Sequence, residues 1–136
     1  MSMFAPREPA AWATRLPIGP APSTTVFLCA SSPARETARI ATAVYNNGFI
    51  RDVVRRRYST FRYVNGRTIT LKNTNELLAK MPECDGMKTG YTGPAGRCLI
   101  CTAHRAGREV LLVQLGTKTK FIWNDGAAMM GWGLRR

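Results

Sequence analysis

The spacing of apolar residues along the chain changes twice. From Ser32 onward, Ala34, Ala38, Ala41 and Tyr45 recur three or four residues apart, and Ile40 and Val44 flank that stripe. This is the period of a helix with one buried face. Ser32 followed by Pro33 reads as an N-cap and a first helical position, and Glu36 in the first turn favours the helix dipole. The helix runs for about four turns and ends near Asn46-Asn47-Gly48. A second short helix follows, with Phe49, Ile50, Val53 and Val54 on one side and Arg51, Asp52, Arg55 and Arg56 on the other.

Beyond Arg57 the period falls to two. Thr60 to Val64 alternates, with Phe61 and Tyr63 sharing a face, and Arg67 to Leu71 alternates again, with Ile69 and Leu71 sharing one. Asn65-Gly66 between them predicts a hairpin closed by a type I′ turn, which needs positive φ at both central positions. Asn73 to Lys80 predicts a helical turn containing Leu77 and Leu78, broken by Met81-Pro82. The rest predicts a meander. Its strands are 86–92, 97–104 and 109–115, joined by turns at Gly93-Pro94-Ala95-Gly96 and Arg105-Ala106-Gly107-Arg108. A closing helix spans Phe121 to Leu134, with Phe121, Asp125, Ala128, Met129 and Trp132 at helical spacing. Gly126 and Gly131 each weaken it by ~1 kcal/mol relative to Ala. Helices, hairpin, three antiparallel strands and a last helix make an α+β class rather than parallel βαβ units. Residues 1–22 contain Pro6, Pro9, Pro17, Pro20 and Pro22 and no periodic pattern. We therefore divide the chain into an irregular arm, 1–30, and a folded part, 31–136.

Size and charge narrow the possible classes. A chain of 136 residues is one domain or part of one. No apolar run approaches the ~20 residues of a membrane helix. No basic start followed by an apolar stretch marks an export signal. The 20 Lys and Arg against 8 Asp and Glu give a net charge of +12. That field attracts nucleic acid, anionic lipid or an anionic wall polymer. Its densest run, Arg55-Arg56-Arg57, reads as a solvated helix end. No nucleic-acid motif accompanies the charge, so nucleic acid is not an expected partner.

The cysteines are Cys29, Cys84, Cys98 and Cys101. Cys98-x-x-Cys101 has neither a second pair nor a nearby His, and residues three apart on a strand point to opposite faces. Buried, inert thiols are the expectation, with no metal or other cofactor. His104 is the single histidine and stands near a strand end without a local serine partner, so it reads as structural or solvent-facing. Trp12, Trp123, Trp132 and Met129-Met130 read as helix-face packing rather than a ligand box.

One stretch carries chemistry: Asp85-Gly86-Met87-Lys88-Thr89-Gly90-Tyr91-Thr92. Gly86 and Gly90 bracket a cation and a hydroxyl, and a glycine in a strand permits close approach of a ligand. Thr89 can hydrogen-bond a carboxylate, and Lys88 supplies charge beside it. As neighbours on a regular strand, the two face opposite ways.

The context sharpens this. Asn73-Thr74-Asn75-Glu76-Leu77-Leu78, then the Lys-Thr-Gly stretch, then Ala95-Gly96-Arg97-Cys98-Leu99, then Leu115-Gly116 and Gly131-Trp132-Gly133, together resemble the C-terminal part of a D-alanyl-D-alanine carboxypeptidase. Lys-Thr-Gly is the third signature motif of that superfamily of penicillin-binding serine peptidases and class A β-lactamases. Ala34-Arg35-Glu36 is similar to the family's Ser-Thr-Ala-Arg-Asp helix, and Thr24-Thr25-Val26-Phe27 is a fainter echo. The resemblance implies a partial β-lactamase/transpeptidase-like domain, an antiparallel sheet packed with helices, whose N-terminal catalytic half is missing. It implies that Lys88 holds the field around the active-site hydroxyls and that Thr89 binds the terminal carboxylate of a D-Ala-D-Ala peptide. It further implies that Gly90 lets substrate approach and that the Tyr91 backbone N–H serves as an oxyanion donor. The implied partners are the peptidoglycan stem peptide, β-lactams and a complementary N-terminal fragment, and the implied place is the periplasm or cell envelope.

The family's nucleophile lies in Ser-x-x-Lys and its second motif is Ser-x-Asn. The serines here are Ser2, Ser23, Ser31, Ser32 and Ser59, and none has Lys three residues on or Asn two residues on. The chain is therefore expected to be inactive alone. A non-catalytic binding module with a basic surface is the other reading. Without the missing helical region, one face of the meander is expected to be uncovered.

Overall fold

The computed structural model describes residues 24–28, 32–118 and 120–135. Apart from 24–28, the irregular arm expected over 1–30 lies outside the described residues, Trp12 and Cys29 included. Ten elements follow in order: β1 (Thr24–Leu28), α1 (Ser32–Tyr45), α2 (Gly48–Val54), β2 (Tyr58–Arg62), β3 (Thr68–Lys72), α3 (Leu77–Lys80), β4 (Cys84–Thr92), β5 (Gly96–Arg105), β6 (Arg108–Thr117) and α4 (Ile122–Arg135). The class is α+β. A four-stranded sheet runs β1-β6-β5-β4, and β2-β3 form a separate two-stranded ribbon. Residues 24–28, assigned to the arm from sequence, are strand β1. It pairs parallel with β6, with Thr24 opposite Glu109 and Leu28 opposite Val113. A short apolar run beside prolines and a small-residue stretch carried no alternation strong enough to single it out.

The meander is antiparallel throughout. Lys88 lies opposite Ile100 and Gly90 opposite Cys98 across β4–β5. Cys101 lies opposite Leu112 across β5–β6. The β5–β6 connection is a two-residue turn in which both Ala106 (φ 50°) and Gly107 (φ 76°) are left-handed, so the type I′ geometry occurs here. At the β2–β3 turn the outcome differs. The Gly66 N–H donates to the Tyr63 carbonyl at 3.0 Å, and Tyr63 N–H donates to Arg67 at 2.8 Å. The central residues are therefore Val64 and Asn65, and only Gly66 is left-handed (φ 82°). This is a three-residue loop with a glycine bulge rather than the predicted Asn-Gly pair.

The sheet is covered on both faces. On one side Leu99, Cys101, Ala103, Val110 and Leu112 pack with Leu77 and Leu78 of α3 and with Ile122, Met130 and Leu134 of α4. On the other, Ala34, Ala38 and Ala41 of α1 pack against Leu111 and Val113. Adjacent residues of β6 thus serve opposite cores, as expected of a strand buried on both faces. The alanine stripe predicted for α1 is its buried face. The uncovered sheet face expected from sequence is, over β6, closed by that stripe.

On α4 the predicted stripe is corrected. Phe121, Asp125 and Ala128 are exposed, and Ile122, Gly126, Met130, Gly133 and Leu134 face the core. A Cβ on Gly126 would stand 3.2 Å from both Leu77 and Leu99 side chains. Gly126 is therefore a close-approach point, and reading it only as a weakness in the helix hid the true face. Trp123, Met129 and Trp132 pack against this core at its edge. Asn47 ends one helix and starts the next: its Oδ1 accepts the Ile50 N–H at 3.2 Å, capping α2. Arg55, Arg56 and Arg57 are exposed at the end of α2. No described helix is long and apolar enough to cross a membrane.

Candidate active-site wall

Strand β4 is the edge of the four-stranded sheet among the described residues, so one side of its backbone is not engaged by a neighbouring strand. It begins with a bulge between Cys84 and Gly86. Gly86 has φ 109°, and a Cβ there would fall 2.5 Å from the Val54 carbonyl oxygen at the end of α2. Its missing side chain is required by the chain's own packing. The sequence groups Gly86 with Gly90 as a ligand-approach glycine, and the structure separates them. A Cβ on Gly90 would meet only Cys98 Cβ, at 3.9 Å, an ordinary contact. Among the described residues, nothing demands glycine at position 90.

Beyond the bulge, Thr89 Oγ1 lies 2.6 Å from Thr74 Oγ1. The Lys88 ammonium donates back to the Thr89 carbonyl oxygen, which anchors an exposed cation on the same short segment. Tyr91 is exposed, and the guanidinium of Arg97, its cross-strand neighbour, stands 5.3 Å from its ring centre. The wall thus presents an ammonium, a hydroxyl pair, a bare glycine and an aromatic edge along one free strand.

Thr74 is held by a tight local network. Asn73 Oδ1 accepts the Asn75 N–H at 2.9 Å, and Asn75 Oδ1 accepts the Leu77 N–H at 3.0 Å. Asn73 Nδ2 donates to the carbonyls of Val54 and Arg56 at 3.1 and 3.0 Å. These side-chain turns hold the backbone where no regular element does. Thr74 belongs to the Asn73–Leu78 stretch that resembles the family, but its contact with Thr89 has no signal in spacing. Behind this turn an open cavity of about 390 Å³ is lined by Arg57, Tyr58, Lys72, Asn73, Glu76 and Lys80, among others; none of Lys88 to Tyr91 lines it.

The base of the wall is a second polar cluster. Asp85 Oδ2 accepts from Tyr45 OH at 3.3 Å and lies 2.5 Å from His104 Nδ1. The Asp85 side chain is 13% exposed and that of His104 62%. His104 is solvent-facing as expected, with Asp85 as its partner. Burial pushes the Tyr45 phenol above its ordinary range, and the negative charges of Asp85 and Glu109 add to that. Cys98 is half-buried, and Cys84 and Cys101 are buried. Among the described residues no group of three His, Cys, Asp or Glu side chains is placed to hold a metal ion.

The sequence profile described as D-alanyl-D-alanine carboxypeptidase matches residues 23–119, which include every residue of this wall. The chain belongs to the D-alanyl-D-alanine carboxypeptidase family. A Streptomyces D-alanyl-D-alanine carboxypeptidase is 32% identical over 108 residues, covering 75% of this chain and 37% of that protein. A Mycobacterium tuberculosis D-alanyl-D-alanine carboxypeptidase is 27% identical over 107 residues, covering 76% of this chain and 36% of that one. Among solved structures, the Streptomyces K15 DD-transpeptidase superposes with a TM-score of 0.69 at 29% identity, over 75% of this chain and 41% of that one. The chain thus spans little more than a third of the length of these carboxypeptidase relatives. The match extends upstream of residue 31 and takes in β1, in line with the strand found there.

Proposed function

We propose that this chain carries the carboxylate-recognising wall of a serine-type D-Ala-D-Ala carboxypeptidase acting on peptidoglycan stem peptides in the cell envelope. In this reading the carboxypeptidase-like unit is 31–136, with strand β1 added to it. The observation that carries the proposal is the pairing of Thr89 with Thr74 on a free strand edge, in a chain of this family. A peptide laid along that edge can hydrogen-bond the unengaged backbone of β4. Its terminal carboxylate meets the Thr89 hydroxyl, with the Lys88 charge beside it. A charge-assisted hydrogen bond of this kind is about twice as strong as a neutral one. Gly90 leaves room for the substrate backbone, and the Tyr91 N–H can donate to a developing oxyanion. One such donor is worth ~3 kcal/mol of barrier where a nucleophile exists to create the charge.

No serine in these 136 residues stands in Ser-x-x-Lys. The chain is therefore a binding wall without its own acylation chemistry, and a segment bearing Ser-x-x-Lys and Ser-x-Asn completes the site. Intact mass after exposure to a fluorescent β-lactam tests this. The chain alone should carry no adduct, and acylation should appear on the complementary segment when the two are combined. A stoichiometric adduct on any of the five serines would overturn the reading.

A further inference from the structure

Cys84 and Cys101 stand apart from the wall and are not used by it. Cys84 opens β4 just before the bulge, and Cys101 lies in the middle of β5. Because the register shifts between Cys84 and Gly86, Cys84 faces the same core as Cys101, and their sulfurs are 3.1 Å apart. Both are buried, Cys84 at 7% and Cys101 at 0% exposure. The buried Asn75 amide sits over the pair, its Nδ2 4.0 Å from the Cys84 sulfur and 3.9 Å from that of Cys101. The two thiols are buried, as expected from sequence, but they are in contact at the open end of the β4–β5 hairpin with a single amide spanning both, a pairing that spacing did not show. The signal was hidden because the bulge changes which face Cys84 occupies, and no spacing rule reports a bulge.

We propose that Cys84 and Cys101 form an intrachain disulfide that ties the base of β4 to β5 beneath the Asn73–Asn75 turn. The oxidant is a disulfide, either a small one such as oxidised glutathione or a protein of the thiol–disulfide exchange class. The Cys84 thiolate attacks one sulfur of the donor, breaking its S–S bond, forming a mixed disulfide and releasing one donor thiolate. The Cys101 thiolate then attacks the Cys84 sulfur, forming the intrachain bond and releasing the second donor thiolate. Two S–H bonds are lost, two protons pass to the released thiolates or to water, and two electrons reduce the donor.

The order of attack follows from the surroundings. Cys84 retains slight exposure, and the hydrogen bond from Cys101 holds its thiol below the ordinary range. Cys101 has none, and its contact with Cys84 together with burial pushes it well above that range. Cys84 is thus the attacking thiol and Cys101 the resolving one. The link closes the β4–β5 hairpin and fixes Asn75, whose backbone carries the turn that presents Thr74 to Thr89. This assignment is independent of the proposed function, since it needs only the thiols and a disulfide donor.

The test is disulfide mapping of the full chain. Reduced protein is incubated with oxidised and reduced glutathione, alkylated in denaturant and digested with trypsin, which cuts at Lys88 and Arg97 between the two cysteines. The expected product is a linked pair of peptides joining Cys84 to Cys101, about 2 Da lighter than the two free thiols. Fragmentation separates Cys101 from Cys98 on the shared peptide. Oxidised protein should melt roughly 10 °C above the same protein after reduction. In Cys101→Ser the mixed disulfide with glutathione should accumulate on Cys84. Alkylation of both Cys84 and Cys101 after oxidation would overturn the proposal. So would a link from either one to Cys29 or Cys98. The mapping uses the unaltered chain, so it stands even where a cysteine variant fails to fold.

Discussion

The hydroxyls of Thr74 and Thr89 lie 2.6 Å apart, joining the turn before α3 to the edge strand of the sheet. One oxygen must donate and the other accept, so the pair has a lone pair or a proton left to offer a ligand. Thr89 is the residue that faces the substrate carboxylate in the proposed function, and Thr74 orients it. The two substitutions should therefore differ in size. Thr89→Val removes the charge-assisted bond and should lower kcat/KM for D-Ala release by about 10- to 100-fold, at ~1.5–3 kcal/mol. Thr74→Val removes only the orienting bond, ~1 kcal/mol, and should cost about fivefold. The measurement is D-Ala release from a D-Ala-D-Ala peptide by the chain combined with a complementary segment. Equal losses would mean that Thr74 also contacts the substrate, and no loss in either would remove Thr89 from the site.

How far the sequence reaches can be judged from these residues. Lys88, Thr89, Gly90 and Tyr91 can be proposed together from sequence because a motif is contiguous and its chemistry is local. The alanine stripe of α1 was legible because helical spacing alone sets which face is buried. What depended on exact backbone geometry was not legible. The bulge at Cys84/Gly86 reassigned Gly86 from ligand approach to packing against Val54, and it brought Cys84 to Cys101. The glycine-bulged loop at Gly66 replaced a type I′ turn because the central pair fell one residue earlier. On α4 the core chose the face holding Gly126, where two leucines approach within 3.2 Å of its Cβ position, over the stripe suggested by Phe121. Thr74 had chemistry but no pattern, since contacts between a turn and a strand carry no period.

The alkaline limb of stability should carry a contribution from Tyr45. Its pKa is raised in the folded state by burial and by the charges of Asp85 and Glu109. The folded chain thus keeps the phenol proton to higher pH than the unfolded chain does. Below the unfolded pKa, near 10, both states hold the proton and stability is intact. As pH rises past it, the unfolded state ionises first and stability falls until the folded pKa is passed. Tyr45→Phe should flatten that part of the curve while costing about 0.5–1 kcal/mol near neutrality through the lost bond to Asp85. Denaturant midpoints of both proteins between neutral and strongly alkaline pH check this; parallel curves would show that Tyr45 carries none of the alkaline loss.

The β2–β3 ribbon should be the first part of the described chain to open. Every residue of β2 is exposed, and in β3 only Ile69 is half-buried. An isolated two-stranded ribbon is marginal in water. By contrast, β6 has Val110 to Gln114 buried in succession. Hydrogen exchange read by mass spectrometry should show amides of 58–72 exchanging orders of magnitude faster than those of 99–103 and 110–114. Equal protection would mean that the ribbon is covered by another surface in solution.

Gly86 and Gly90 look alike in the sequence, and substitution should separate them. An alanine at Gly86 places its Cβ 2.5 Å from the Val54 carbonyl oxygen and 2.9 Å from its carbon, with φ at 109°. Both obstacles are backbone atoms, so the strand start or the end of α2 must move. Gly86→Ala should cost about 2–4 kcal/mol and lower Tm by on the order of 10 °C. At Gly90 the nearest atom would be Cys98 Cβ at 3.9 Å, and φ is not left-handed. Gly90→Ala should stay within about 0.5 kcal/mol of the parent. Its new methyl group nevertheless occupies the surface along which a peptide is proposed to lie. In the combined protein it should reduce D-Ala release by on the order of tenfold, since an ångström of displacement at a reacting centre is enough for that. Thermal melts of the two single variants, followed by the release assay on the combined protein, measure both effects. Were Gly90→Ala to melt as low as Gly86→Ala, position 90 would be a packing glycine and the open strand edge would lose its meaning as a substrate wall.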